Sequence, residues 1–514
     1  MIKLNLFTCL ILISAITFAG CKKEDIINYQ LNITTTNGTV VKNPAVSVYK
    51  SGASVQLTAT PNQGYTFSSW SGDAIGSANP LTIAMNSDKN ITANFTAIIN
   101  TYTLNVTATN GIVAKDQNLT TYNGGTNVLL TVTPNPGYIF ASWGGDATGT
   151  ANPLTVTMNG NKNITANFTA INGQVVNVKN TGAKGDGVTD DTAALQAAVD
   201  QVAGTGGTVS VPTGTYMINA ITHLNLKSNM NLIIESGAIL KAIPNGSTNY
   251  AVLQLGGVSN VGISGGKIEG ERVAHTGTTG EWGFGIGVLG SDHVTITGTT
   301  VTNCWGDGFY IGANGTTPCS VIRLTNVIAD NNRRQGMSII HVNDMIVTGS
   351  TFKNTNGTAP QAGIDIEPNA NNTVNDVHIL NCQIIDNYAS GISLWLGTTI
   401  VNAAITNIEI SGNTVDRNRR DGGITVVAPG AYTITNNLIR NNYRYGLIVD
   451  SNGSTITGNT ITFNGITGGS GWGVDLRTVS SNNTVTGNTI QNNQTGQLRD
   501  TGTKNNTTSP PNQY

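Results

Sequence analysis

Short runs of alternating apolar and polar residues, separated by glycine and asparagine, fill the C-terminal two thirds of the chain. A glycine followed by apolar, outward and apolar residues recurs at these positions: Gly308, Gly336, Gly363, Gly391, Gly423, Gly446 and Gly473. The intervals between them are 28, 27, 28, 32, 23 and 27 residues. Each run predicts a short strand that buries its first and third side chains. The recurrence therefore predicts a solenoid of stacked coils.

A second periodicity precedes the coils. Residues 29–98 align without gaps onto residues 102–171, at an offset of 73 residues, which identifies two copies of one module. Each copy carries Gly-Tyr-x-Phe-x-x-Trp-x-Gly-Asp, around Trp70 and Trp143. The pattern resembles the divergent internalin-B-type B repeat, a small all-β module of bacterial surface proteins. We expect the two tryptophans to anchor module cores, with sugar stacking as the alternative.

The N-terminal residues predict export. Residues 1–20 combine a basic start with an apolar run, as in a secretory signal peptide. Small residues before Cys21 resemble the lipobox of bacterial lipoproteins, which implies that Cys21 carries a lipid, with residues 21–28 as anchor and linker. The following Lys-Lys-Glu-Asp resembles the surface signal of Bacteroidetes-type lipoproteins. The resemblance implies a surface-exposed, lipid-anchored location at the outer membrane; a plain signal peptide is the alternative.

The largest predicted domain spans residues 174–500, with residues 501–514 as a tail. It opens with Gly-Ala-Lys-Gly-Asp-Gly-Val-Thr-Asp-Asp-Thr, and Leu195, Val199 and Val202 follow at helical spacing, with Thr189 or Asp190 as the expected cap. Gly-Gly-Thr-Val-Ser-Val-Pro then reads as a strand and turn.

This opening closely resembles the pectate-lyase superfamily of right-handed parallel β-helices. That superfamily includes rhamnogalacturonases, polygalacturonase-type hydrolases and mannuronan C5-epimerases. The implied fold class is all-β: a right-handed single-stranded parallel β-helix with a short N-terminal capping helix, preceded by two small β-rich modules. We expect the β-helix domain to fold without the modules.

Composition narrows the functions. Charged residues make up 11% of the chain, the net charge is −2 and there are 62 glycines. Few charges and many glycines disfavour a helical bundle, and the lack of basic clusters argues against a nucleic-acid partner. Cys304, Cys319 and Cys382 lack metal-ligand spacing and are expected to be buried thiols. We expect a monomer that touches the membrane only through its lipid.

Candidate chemistry lies where the coils stack. Because adjacent strands lie about 4.8 Å apart, aligning the glycines places Tyr310, Ser338 and Asp365 in one row, with Glu367 and Trp395 in the next. Residues just before the glycines include Asp307, Arg334, Gln335 and Asp421, and Arg333 lies beside Arg334 in the coil that adjoins Asp365. Acidic, basic and aromatic groups thus converge on the central coils, which favours a site over a purely structural face.

Asp365 and Glu367 lie two residues apart on one strand, about 6.6 Å between backbone origins. Such a pair can bind a cation such as Ca²⁺, although the sequence requires no cofactor. It can also supply the acid and base of an inverting glycosidase, whose carboxyls stand about 6.5–9.5 Å apart. Arg334 is placed to clamp a substrate carboxylate or to neutralise an enolate. The alternative is a structural salt bridge between Asp365 and Arg334.

Catalytic signatures of the related families are incomplete in this chain. Asp307 matches one aspartate of the polygalacturonase Asn-Thr-Asp-Gly motif, but Arg334 and Gln335 stand where a double aspartate is expected. The epimerase Asp-Pro-His would fall at residues 310–312 and is missing, which leaves Tyr310 as a candidate acid or base whose pKa a nearby cation would lower.

Loop residues 270–282 interrupt the coil rhythm and are expected to overhang the rows. His275 in this loop and His341 after the Ser338 strand are expected to be solvated.

Three functions remain open on the sequence. The leading hypothesis is a polysaccharide lyase or C5-epimerase on uronic-acid-containing polysaccharide. The alternatives are an inverting hydrolase of pectin-like polysaccharide and a non-catalytic glycan-binding or adhesive surface protein. The candidate catalytic residues are Asp307, Tyr310, Arg334, Asp365 and Glu367. The candidate substrate-binding residues are Arg333, Gln335, Ser338 and Trp395.

Overall fold

The computed structural model of the chain describes residues 27–134, 138–170, 173–397, 399–466, 471–502, 506–508 and 512–513. The predicted signal peptide and the Cys21 lipid site lie outside the described residues. Within these ranges, no helix has the length and apolar character that a membrane span requires.

The first module is built from two three-stranded sheets and one two-stranded sheet. Its strands are Asn28–Tyr29, Leu31–Thr35, Gly38–Asn43, Tyr49–Lys50, Ser54–Pro61, Tyr65–Gly72, Leu81–Ala84 and Lys89–Ala97. Alternate residues Val55, Leu57 and Ala59 point into the core. Trp70 is 2% exposed, and its indole N–H donates to the Ala78 carbonyl at 2.8 Å. The tryptophan is therefore a core anchor, as predicted.

The second module repeats this arrangement. Its strands are Thr101–Tyr102, Leu104–Ala108, Gly111–Lys115, Tyr122–Asn123, Asn127–Pro134, Tyr138–Gly145, Leu154–Thr157 and Lys162–Ala170. Trp143 is buried and its indole N–H donates to the Ala151 carbonyl at 2.7 Å. Sugar stacking is therefore excluded for both tryptophans in this conformation.

A short helical segment opens the β-helix. A 3-10 helix, Val178–Thr181, precedes the α-helix Thr192–Val202. The helix buries the apolar side chains of Leu195, Ala198, Val199 and Val202. Asp191 occupies the N-cap position, but the carboxylate that accepts the first helical N–H, that of Thr192, belongs to Asp190, one of the two predicted caps. The Asp191 carboxylate accepts two backbone N–H groups of the preceding loop instead of one from the helix.

Three long parallel sheets run along the β-helix. Sheet 1 has 12 described strands: Val175–Asn177, Thr208–Val211, Met230–Ile234, Ser259–Ser264, Asp292–Thr297, Cys319–Thr325, Val342–Thr348, Thr373–Leu380, Ala404–Ser411, Tyr432–Thr435, Thr455–Thr457 and Thr484–Thr486. Sheet 2 has 12 described strands: Asp186–Asp190, Gly214–Ile218, Ala238–Ala242, Lys267–Glu269, Thr300–Thr302, Ile328–Asp330, Thr351–Lys353, Gln383–Ile385, Thr414–Asp416, Leu438–Arg440, Thr460–Thr462 and Thr489–Gln491.

Sheet 3 carries the predicted rows of side chains. Its 11 described strands are Leu224–Asn225, Asn249–Gly256, Trp282–Leu289, Phe309–Gly312, Met337–Ile339, Ile364–Ile366, Ile392–Trp395, Gly422–Val427, Tyr445–Asp450, Trp472–Leu476 and Gly496–Asp500. The three sheets confirm the predicted right-handed parallel β-helix.

The core of the coils follows the alternation in the sequence. These predicted core side chains of sheet 3 are all fully buried: Phe309, Ile311, Met337, Ile339, Ile364, Ile366, Ile392, Leu394, Ile424, Val426, Leu447, Val449, Val474 and Leu476. The glycine column exists because the backbones approach closely there. A Cβ at Gly336 would lie 2.4 Å from the Gly363 carbonyl oxygen, and one at Gly446 would lie 2.6 Å from that of Gly473.

Stacked asparagines occupy the turn between sheets 2 and 3. Asn387 donates to Asn418 at 2.9 Å, and Asn418 donates to Asn442 at 3.1 Å. Each side chain also satisfies backbone groups of neighbouring coils. These three residues therefore form a buried amide ladder. Asn303 lies outside the ladder, because it adopts a positive φ and pairs with Asn331 at a half-buried turn.

A second buried ladder follows the turn after sheet 1. Its members are Asn413, Asn437, Asn459, Asn488 and Asn512, with amide contacts of 2.9 to 3.0 Å. Thr507 and Gln513 form parallel bridges with Thr484 and Thr489, so the described residues of the predicted tail add backbone hydrogen bonds to the coils.

Cys304, Cys319 and Cys382 are buried free thiols, as predicted.

Candidate functional site

The outward row on sheet 3 has the register that the glycine alignment predicts. Tyr310 pairs with Ser338, Ser338 with Asp365, Asp365 with Ser393, and Ser393 with Thr425. Five successive coils therefore present polar or aromatic side chains side by side. We call these five residues the polar row.

Asp307 forms a buried ion pair beside the polar row. Its side chain is fully buried and Arg334 Nη1 lies 3.0 Å from its Oδ2, while the Ser338 hydroxyl donates to the same oxygen at 2.8 Å. Burial raises the pKa of Asp307 to about 6, although the Arg334 charge and the Ser338 hydrogen bond favour the carboxylate. The pair lies too deep for Asp307 itself to touch a polymer.

Arg334 thus pairs with Asp307 and not with Asp365, the partner in the structural alternative. Glu281, from the loop of residues 270–282, approaches the other side of the guanidinium, with 3.6 Å between Arg334 Nε and the carboxylate. Arg334 Nε is buried without a hydrogen-bond partner among the described residues. This nitrogen faces the Glu281 carboxylate.

Asp365 is the second buried carboxyl. It is 3% exposed, and the side-chain amide of Gln335 donates to its Oδ2 at 2.7 Å. Burial and the charge of Glu367 raise the pKa of Asp365 to about 8, against the opposing hydrogen bond from Ser393 and the charge of Arg334. Glu367 is half-buried at the rim. The raised pKa favours the protonated form of Asp365 near neutral pH.

Tyr310 lies on Phe284, with ring centroids 4.3 Å apart and an interplanar angle of 16°. Burial, reinforced by the negative charge of Asp307, raises the pKa of Tyr310 above its usual value. The expectation that a cation lowers this pKa is wrong, because desolvation exceeds the effect of Arg334. Near neutral pH, Tyr310 is a proton donor.

The remaining predicted substrate-binding residues differ in accessibility. Trp395 is 41% exposed, so its indole offers a stacking surface. Gln335 and Ser338 are buried and act on Asp365 and Asp307. Arg333 lies over the Trp305 ring at 3.8 Å and donates to the Gly280 carbonyl at 2.9 Å. It therefore holds the loop against the coils.

Both histidines that were expected to be solvated are buried. The His275 side chain is fully buried, with Nδ1 3.0 Å from the Glu271 carboxylate, and its ring stacks on Trp305 at 3.9 Å and beside Tyr250 at 6.1 Å. His341 is also buried, and its Nδ1 accepts the Thr373 N–H at 2.9 Å.

The His275 cluster fixes the loop that carries Glu281. Four of its buried polar atoms have no partner among the described residues: Tyr250 Oη, Glu271 Oε2, His275 Nε2 and Trp305 Nε1. Such atoms in contact with one another are typical of a site for buried water. Sequence reasoning missed this cluster because its members are far apart along the chain.

Metal binding receives no support from side-chain clustering. Within the described ranges, no group of three or more His, Cys, Asp or Glu side chains is placed to hold a metal ion. Asp365 and Glu367 remain a pair of carboxyls next to Arg334.

Comparison with known families agrees with the fold. Residues 29–99 and 102–172 match the Divergent InlB B-repeat domain, and residues 175–385 match the family described as Rhamnogalacturonase A/epimerase, pectate lyase-like. Residues 375–512 match the Right handed beta helix region.

Curated relatives cover parts of the chain. The uncharacterized protein YclG of Bacillus subtilis is 29% identical over 295 residues, 52% of this chain and 49% of that protein. Mannuronan C5-epimerase AlgE2 of Azotobacter vinelandii is 34% identical over 149 residues, 26% of this chain and 15% of the epimerase. The chain spans about half the length of YclG.

Among solved structures, the A-module of the Azotobacter vinelandii mannuronan C-5 epimerase AlgE6 superposes with a TM-score of 0.48 and 22% identity, covering 65% of this chain and 99% of the module. The family matches and the three parallel sheets both indicate a β-helix fold for the described residues that follow the two modules. The chain therefore carries two modules that match the divergent InlB B-repeat, followed by a right-handed parallel β-helix whose residues 175–385 match the pectate lyase-like family.

Proposed function

We propose that this chain is a carbohydrate-active β-helix protein that removes the C5 proton of uronic acid units in a polysaccharide, as a lyase or a C5-epimerase. One observation carries the proposal: the buried carboxyl of Asp365 lies beside Glu367 and next to the Arg334–Asp307 ion pair. The match to a rhamnogalacturonase and epimerase family and the similarity to mannuronan C5-epimerases support it.

Removal of the C5 proton requires that the negative charge of the substrate carboxylate be neutralised. A C5 proton becomes acidic when the electron pair left on C5 can spread into the C6 carboxyl group as an enolate. The Asp365 proton and the Arg334 guanidinium supply donors for that developing charge in a buried setting. Glu367, half-buried at the rim, is the base that accepts the C5 proton.

Tyr310 completes either reaction as the proton donor. In elimination, the C5 electron pair forms a C4–C5 double bond, the bond from C4 to the glycosidic oxygen breaks, and the Tyr310 phenol protonates that oxygen. In epimerisation, C5 takes a proton from Tyr310 on the opposite face and no sugar bond breaks. Trp395 would bind a neighbouring sugar ring on its exposed face.

Inverting hydrolysis is the weaker alternative. It requires two carboxyls that flank the scissile bond, whereas Asp307 is fully buried and covered by Arg334 and Ser338. A surface adhesin without turnover is the other alternative, supported by the incomplete catalytic signatures.

Incubation with alginates, pectins and glycosaminoglycans tests the proposal. Unsaturated ends that absorb in the ultraviolet indicate a lyase, and altered uronate stereochemistry indicates an epimerase. New reducing ends without ultraviolet absorbance would assign hydrolysis instead. Binding at constant affinity without any product would assign the non-catalytic alternative.

We further propose that a lipid on Cys21 holds the protein at the outer membrane, facing outward. The small residues before Cys21 in the sequence support this location. Metabolic labelling with a radioactive fatty acid tests it: the unsubstituted protein is labelled and Cys21→Ser is not. Labelling of both proteins, or of neither, would contradict the anchor.

A further inference from the structure

A cleft of about 580 Å³ opens on the turn between sheets 2 and 3, one coil beyond the acidic pair. Asn356, Gln361, Asp386, Tyr388 and Arg419 are among its lining residues. None of them belongs to the polar row or to the groups that act in the proposed reaction.

The cleft carries one uncompensated positive charge. Asp386 is paired with Arg417, at 2.8 Å from Nη2 to Oδ2. Arg419 is exposed, and no carboxylate of the described chain lies within ion-pair distance of it. Its guanidinium carbon lies 5.8 Å over the Tyr443 ring, a contact that leaves the N–H groups free to bind an anion.

Tyr388 supplies an aromatic surface in the adjoining coil. Its side chain is 46% exposed, and its backbone N–H donates to the Thr355 carbonyl at 2.9 Å, while that of Arg419 donates to the Asn387 carbonyl at 3.0 Å. The two residues therefore occupy equivalent positions in successive coils, about 4.8 Å apart along the axis. A ring face beside a free guanidinium suits a sugar that bears a carboxylate.

The cleft wall is also linked to Asp365. Gln361 precedes Ala362, whose N–H donates to Gln335 Oε1 at 2.8 Å, and Gln335 holds the Asp365 carboxyl. The cleft therefore lies beside Asp365, on the turns that lead into the strands of sheet 3, where a polymer bound across that edge of the sheet would place its next units.

We propose that the cleft binds a carboxylated sugar unit adjacent to the reacting one, with Arg419 holding the carboxylate and Tyr388 carrying the ring. This inference rests on the proposed function, because it extends the binding of the same polysaccharide. It also makes the cleft a determinant of specificity for charged over neutral chains.

The test measures binding to the full chain carrying Asp365→Asn, which suppresses turnover. The probes are hexamers of mannuronate and of galacturonate, together with the carboxyl-reduced, neutral form of each, titrated by calorimetry. Arg419→Gln should weaken binding of at least one uronate hexamer about tenfold and leave its neutral form unchanged, as expected for loss of one charge-assisted contact. Tyr388→Ala should weaken binding of both forms.

Arg420→Gln is the matched control, since Arg420 is an exposed neighbour that does not line the cleft. Equal binding by the Arg419→Gln and Arg420→Gln variants, or no binding of any hexamer, would overturn the cleft assignment. Turnover by the protein with native Asp365 is assayed separately. If the polysaccharide is turned over but Arg419→Gln does not weaken binding, only the cleft assignment is wrong. If binding depends on Arg419 but no turnover occurs, the proposed reaction is wrong and the cleft assignment stands.

Discussion

The side-chain amide of Gln335 donates to Asp365 from the adjacent coil, with 2.7 Å between Nε2 and Oδ2. The Gln335 oxygen is itself fixed, because it accepts the Ala362 N–H at 2.8 Å. The amide therefore cannot rotate without losing both hydrogen bonds. Gln335 is a positioning residue that sets the direction of the Asp365 carboxyl.

Gln335→Leu should lower kcat about 10- to 100-fold with a smaller change in KM, because a misdirected carboxyl loses its alignment with the reacting atoms. The hydrogen bond from the Gln335 amide favours the charged carboxylate of Asp365, so its loss should raise the pKa of Asp365 further. The alkaline limb of the pH profile should therefore move to higher pH. Gln383→Leu, at an exposed position of sheet 2, is the control. An unchanged pH profile in Gln335→Leu would contradict this role.

Protonation of Asp365 should also appear in stability. Its pKa lies above the unfolded value of 3.8, so the folded protein holds a proton that the unfolded chain releases. The stabilisation is complete below about pH 4 and is lost as the pH rises toward about 8. Asp307 acts in the same direction up to about pH 6.

Asp365→Asn should therefore reduce the loss of stability between pH 5 and pH 8 by about 1–3 kcal/mol, measured by thermal unfolding at both values. Asp200→Asn, on the exposed face of the helix Thr192–Val202, should retain the unsubstituted pH dependence. If Asp365→Asn and Asp200→Asn behave alike, Asp365 is ionised in the folded protein.

The buried ion pair makes a separate prediction. Arg334→Met leaves Asp307 buried without its counter-charge and should destabilise the β-helix by about 3–5 kcal/mol. Adding Asp307→Asn should restore part of this loss in denaturant unfolding. Lys353→Met is the control: its half-exposed pair with Asp330, at 3.4 Å, should contribute less than about 1 kcal/mol. Equal losses for Arg334→Met and Lys353→Met would show that Asp307 is not charged.

The buried asparagine ladder should contribute more than an exposed one. Asn418→Ala removes the side-chain oxygen that accepts the Asn387 backbone and side-chain N–H groups, and the amide that donates to Asn442, at a cost of about 1–3 kcal/mol. Asn402→Ala removes a similar contact to Asn371 at 3.0 Å on the exposed surface and should change stability by less than about 0.5 kcal/mol. Similar unfolding midpoints for the two variants would contradict a structural ladder.

The fold was predictable because its signal is local and repeated. Each glycine column and each apolar pair recurs in coil after coil, so the register from Tyr310 through Asp365 to Thr425 could be deduced by counting. The first ladder, of Asn387, Asn418 and Asn442, obeys the same rule, since each of its asparagines lies a few residues before a column glycine.

The pairing within the site was not predictable in this way. Arg334 lies on a turn, where strand alternation does not determine direction, and it pairs with Asp307 of the preceding coil, not with Asp365. The burial of His275 depends on Tyr250 and Trp305. Those contacts come from a loop that interrupts the repeat, so no spacing in the sequence encodes them.

The proposed function depends on removal of the C5 proton with the help of Asp365. Proton NMR of a uronate polysaccharide incubated with the protein in D₂O measures this step. We expect that the C5 proton signal disappears, with or without a new signal from a C4–C5 double bond, and that Asp365→Asn abolishes this loss. Chain cleavage with every C5 proton retained, or a polysaccharide that is bound and unchanged, would contradict it.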